Sequence, residues 1–182
     1  MDSLFDACLE FTLTEEGGYT DHPTELRLTA NHGITLARLR RFQRDPGLGK
    51  DDIRHISGAT VRALYLSDFW NRTRCDALPA AIDLMVFDHA VSAGPDRAGR
   101  ALQLACGLQR AEIDSAVGPD TLTRAAQVDR LTLLDALTGM QRGLYRQMAA
   151  FGLFGENWLA RLERRRTRAL ELMAEDATLS RR

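Results

Sequence analysis

A carboxylate standing where a helix gives way to two glycines is well placed to donate a proton. Glu15-Glu16-Gly17-Gly18-Tyr19 has that form. Upstream, Leu4, Phe5, Cys8, Leu9 and Leu13 recur at helical spacing, with Ser3 as a candidate N-cap. Gly17 and Gly18 end this helix, because glycine adopts the left-handed conformation at least cost. Glu16 then falls in the last turn, where the negative end of the helix dipole disfavours an added negative charge. A neutral carboxyl group is what general acid catalysis requires. The same residues also read as an ordinary helix end with a glycine cap.

The remaining reactive side chains form fewer patterns. Asp88-His89 suggests part of a nucleophilic triad, but no serine or cysteine occupies a recognisable nucleophile turn. An acid within an apolar helix must be paired, hydrogen-bonded or neutral, so Asp88 has either a structural or a site role. Asp114 lacks the further oxygen ligands of a calcium loop. Cys8, Cys75 and Cys106 are scattered and give neither a disulfide framework nor a metal-binding pair. Arg161, Arg164, Arg165, Arg166 and Arg168, with Arg181-Arg182, offer attraction to an anionic envelope surface. Glu163, Glu171 and Glu175 offer the alternative of a solvated face balanced by local pairs.

The elements that must position these groups are almost all helical. After Tyr19 a polar stretch interrupted by Pro23 leads to Gly33-Ile34-Thr35. Thr35 is a good N-cap for a helix through Leu36, Leu39 and Phe42, closed by Asp45-Pro46-Gly47. Ser57 caps a helix burying Val61, Leu64, Tyr65 and Phe69 and ending near Trp70. Tyr65 and Trp70 either stack on a sugar ring or belong to the core. Residues 80–93 are apolar nearly all round, which predicts a central helix. Gly94-Pro95 opens the next helix and Gly107 stops it; Pro119 and Asp129 begin two more. Phe151 to Gly155 is expected to be a connector, and Asn157 to about Asp176 the last helix.

The 182 residues suffice for one domain or two small lobes, and a formal net charge of −1 gives no argument for nucleic-acid binding. No window has the roughly eighteen uninterrupted apolar residues of a membrane span. The N-terminal residues lack the pattern of a Sec signal peptide.

Several motifs follow one another in a specific order. Glu16-Gly17-Gly18-Tyr19, His32-Gly33-Ile34-Thr35, Trp70 and Cys75-Asp76-Ala77-Leu78-Pro79 come first. Val86-Phe87-Asp88-His89-Ala90-Val91-Ser92-Ala93-Gly94-Pro95, Val117-Gly118-Pro119-Asp120-Thr121, Trp158 and Arg161 complete the series. Over roughly residues 5 to 165 the chain resembles glycoside hydrolase family 108, the N-acetylmuramidases, with a peptidoglycan-binding half after the catalytic one. The resemblance implies a mainly α, lysozyme-like fold with a short irregular or β-hairpin excursion after the first helix. It implies a catalytic half at 1–93 and a peptidoglycan-binding-like half at 94–182. The activity implied is cleavage of the β-1,4 bond between N-acetylmuramic acid and N-acetylglucosamine, in the periplasm or outside the cell.

In that resemblance Glu16 takes the place of the catalytic acid. Relatives carry Asp-Pro-Gly-Gly-Ala-Thr-Asn where this chain has Glu25-Leu26-Arg27-Leu28-Thr29-Ala30-Asn31. Glu25 thus stands at the second carboxylate, and Ala30 replaces the threonine. Thr29, by a shift of one in register, or Thr35 could assist in holding water. Tyr19, Asn31, His32, Tyr65, Trp70, Asp88 and Asn157 take groove positions. No metal or organic cofactor is implied, since two side chains and a water suffice. The altered loop leaves a second reading, a catalytically impaired protein that binds peptidoglycan or a partner on the same fold.

Overall fold

The first helix, α1, runs Leu4–Glu16, as its apolar spacing predicts. The computed structural model describes residues 4–21 and 29–179. Ser3, Glu25 and Arg181-Arg182, each given a role by the sequence, lie outside those residues. The chain is mainly α, with one short hairpin among the described residues. Strands β1 (Ala30–Asn31) and β2 (Ile34–Thr35) pair antiparallel, with Asn31 opposite Ile34.

Two compact units emerge, one of residues 9–68 and one combining residues up to Cys8 with those from Phe69 onward. The boundary of compactness lies at Asp68–Phe69. Helix α5 (Ile82–Ala93) packs extensively on α6 (Pro95–Ala105), and Gly94-Pro95 turns the chain between them.

In the 9–68 unit, Thr35 caps α2 (Leu36–Gln43), its hydroxyl accepting from the Arg38 N–H at 3.2 Å. Helix α3 spans Lys50–Arg54, and Ser57 caps α4 (Gly58–Tyr65). Ile34, Leu36, Leu39, Ile53, Val61, Leu64 and Tyr65 form the core of this unit. At Leu66–Trp70 the helix continues as one wider π-helical turn.

The larger unit is built on α5, where every residue from Ile82 to Ala90 is buried. Phe5, Trp70 and Phe87 meet edge-to-face, with ring centroids 5.2 to 5.8 Å apart. Each such pair stabilises by about 0.5–1.5 kcal/mol beyond area burial. Helices α7 (Pro119–Gln127), α8 (Arg130–Gln147) and α9 (Phe151–Leu179) complete it. The expected connector at Phe151 to Gly155 is instead the start of α9. Gly155 does not break the helix; it makes room, since a Cβ there would lie 2.5 Å from the Phe151 ring one turn back.

Candidate active site

Glu16 closes α1, and the backbone then leaves the helix through Gly17, whose φ is +72°. The Gly17 N–H still donates to the Leu13 carbonyl at 3.2 Å. Three residues on, Thr20 pairs with Ala30 through reciprocal backbone bonds of 2.8 and 3.0 Å. The chain leaving Glu16 thus becomes the neighbour of β1.

Residues His32 and Gly33 form the two-residue turn of the hairpin, with φ of 49° and 70°. Paired positive values characterise the turns that match strand twist in short hairpins, and Gly33 takes its conformation without strain. Gly33 matters for a second reason. A Cβ on it would overlap the Glu16 carboxyl group, 2.9 Å from Cδ and Cγ. The half-buried Glu16 side chain therefore rests against the turn of the hairpin.

Several residues assigned to a groove support this turn. The Tyr65 hydroxyl donates to the His32 carbonyl at 2.7 Å, and Tyr65 is only 1% exposed. The buried Asn31 amide donates to the carbonyls of Ile53 and Arg54 at 3.1 and 3.0 Å, satisfying the C-terminal end of α3. Arg54 in turn lies over the Tyr19 ring, 4.7 Å from its centroid. Asn31 and Tyr65 thus hold the hairpin in place, and Tyr19 carries a cation on one face.

The water-holding candidates are placed differently from one another. The Thr35 hydroxyl is engaged as the cap of α2. Thr29 is fully buried and its hydroxyl donates to Asp21 at 3.2 Å. Asp21 also meets Lys50 at 2.7 Å, and that hydrogen bond holds its carboxyl below the usual range. Sequence reasoning missed Asp21. Its signal was available: with Glu25 it is one of two acids between Glu16 and the turn at His32.

The family model for glycosyl hydrolase 108 matches residues 9–94. Those residues belong to the glycosyl hydrolase 108 family. The glycosyl hydrolase 108 segment thus contains Glu16, Asp21, the hairpin and α5. The solved structure of SagA from Brucella abortus is similar over 92% of this chain and 94% of its own, at 28% identity and a TM-score of 0.81. No curated protein matches the chain.

Trp70 and Asp88, also inside the glycosyl hydrolase 108 segment, are interior residues of the larger unit. Trp70 is 4% exposed and locked between Phe5 and Phe87, so it offers no open face to a sugar. The Asp88 carboxylate is fully buried and receives Arg161 through two bonds, 2.6 and 3.2 Å, and Arg165 at 2.8 Å. Both arginines lie beyond the family match, on α9. The exposed Asn157 is on the same helix. Arg166 pairs with Asp135, and Arg168 with Glu171 and Glu175. Arg161, Arg165, Arg166 and Arg168 are thus already neutralised within the larger unit. No described helix is long and apolar enough to cross a membrane.

Proposed function

We propose that the chain is an N-acetylmuramidase that cleaves peptidoglycan between N-acetylmuramic acid and N-acetylglucosamine, with Glu16 as general acid. The observation that carries this reading is the seat of the Glu16 carboxyl against Gly33, within a glycosyl hydrolase 108 segment. A proton donor must be held in one place, and here a helix end fixes the backbone while the turn limits the side chain. Protonation of the glycosidic oxygen turns it into a leaving group while positive charge builds at the anomeric carbon.

Water attack requires a second carboxylate. Glu25 takes that role by its position in the family resemblance. Asp21 is a further candidate, because Lys50 and Thr29 favour its ionised form and fix its orientation. Work on such a substrate places the protein in the cell envelope, in the periplasm or outside the cell. The C-terminal helices would serve wall binding.

The test is digestion of peptidoglycan sacculi by the native protein and by Glu16→Gln, with the released fragments identified by mass spectrometry. Fragments ending in reducing N-acetylmuramic acid from the native chain alone support the proposal. Binding of sacculi without any release would favour the catalytically impaired reading, for which the replacement of the family's threonine by Ala30 is the motivating observation. Equal release by Glu16→Gln would remove Glu16 from the acid role.

A further inference from the structure

A cleft of 570 Å³ opens among α5, α6 and α8, and no residue given a catalytic role lines it. Its volume lies within the roughly 300–1,000 Å³ typical of ligand pockets. Among its lining residues is His89, which is completely buried, and neither ring nitrogen has a hydrogen-bond partner. Burial, reinforced by the nearby Arg165 guanidinium, lowers His89 to about 3, so the ring is neutral. A neutral imidazole presents one N–H donor and one acceptor nitrogen. Beside it, Gln141 uses its oxygen to accept from Arg165, and its buried amide nitrogen has no partner.

Buried polar groups left unpaired are costly, and two such side chains lining one cleft point to something that completes them. Arg97 and Arg100, three residues apart on α6, are exposed and line the same cleft. Arg100 has no carboxylate partner among the described residues. Leu104 and Leu144 supply apolar wall.

Each feature narrows the ligand. Two guanidinium groups select an anion with planar, paired oxygens. A phosphodiester or a fatty-acid carboxylate would satisfy them but would leave the acceptor nitrogen of His89 without a donor. An amide has both an N–H for that nitrogen and a carbonyl for the Gln141 and imidazole N–H groups. We propose that this cleft binds the carboxyl end of a short acylated peptide. Its carboxylate lies on Arg97 and Arg100, its last amide on His89 and Gln141, and its small side chains against Leu104 and Leu144.

Titration of the full chain with N-acetyl-Ala-Ala, in L,L and D,D forms, tests this through NMR of the histidine ring nitrogens. Saturable binding that moves the His89 signal is expected. Amidation of the peptide's carboxylate, or Arg100→Ala, should each weaken it by about tenfold, the worth of one lost charge-assisted contact. Leu144→Trp, at a position 39% exposed and so able to accept a larger side chain, should abolish binding without changing the melting temperature. Preference for the D,D form would identify cell-wall stem peptides as the source, and for the L,L form protein termini. An unmoved His89 signal up to about 10 mM peptide would mean that water alone completes these groups, and the proposal fails. It also fails if isovalerate, which has no amide, binds as tightly as the peptide.

Discussion

A Cβ on Gly33 would overlap the Glu16 carboxyl, so any side chain at residue 33 must displace the acid. Helix end and hairpin turn meet at this contact.

Gly33→Ala should therefore impair catalysis more than stability. The backbone at φ +70° disfavours alanine by about 1–2 kcal/mol. Displacing the acid by about an ångström should lower kcat by roughly 100-fold. Gly58→Ala, where a Cβ meets nothing, is the control and should leave kcat unchanged. Sacculus turnover by the two variants, each checked by its thermal melt, decides the matter. Unaltered turnover in Gly33→Ala would detach the contact from catalysis.

Asp21 allows a test through pH. Lys50 holds its carboxyl below the usual range, so it stays ionised as the medium acidifies. Lys50→Met removes that influence, and the acidic limb of the activity profile should move to higher pH. Asp21→Asn should lower kcat by about 100-fold, the lower range for loss of a general base. An unshifted acidic limb together with full activity of Asp21→Asn would leave the water-holding role to Glu25.

The Asp88 cluster should behave as a structural unit. Arg165→Met leaves the buried carboxylate short of one partner, and Asp88→Asn leaves Arg165 with an uncompensated charge. Each should destabilise by about 3 kcal/mol. The double variant should cost clearly less than the sum, because the second change removes what the first left unpaired. Urea unfolding of the four proteins measures this coupling, and strict additivity would refute it.

Asp83 carries an opposite liability. Burial raises its carboxyl to about 6, and one of its oxygens has no partner. With an ordinary value of 3.8, the native state holds more protons than the unfolded chain between about pH 4 and 6. The contribution of Asp83 to stability therefore falls as pH rises through that window. Asp83→Asn should be more stable than the native protein at pH 7, by about 3 kcal/mol, and the gain should vanish near pH 4. Denaturant unfolding at the two pH values checks the sign.

Much of the helical order could be read from caps and periodicity. Thr35 and Ser57 each accept the expected backbone N–H at a helix start, and Asp129, read as the start of a helix, caps it in the same way. The nearly continuous apolar run of α5 marked the central helix for the same reason that it is buried on all sides. What escaped was contact over long separation. Nothing local to Trp70 says that Phe5 and Phe87 enclose it, and nothing near Asn31 reveals that α3 ends beside it. Glycine also misled: at Gly155 the missing side chain accommodates a ring within a helix, whereas at Gly17 it ends one. Asp21 was passed over because its use depends on Lys50 and Thr29, which fold back to meet it.

The bond between Asp88 and Arg165 joins residues 77 positions apart, deep in the larger unit. Loss of either one alone leaves the other a buried charge short of a partner, so the two are expected to travel through descent as a pair. Lineages should retain both or exchange both for apolar residues of similar bulk. The second substitution would then be one that only the first made permissible.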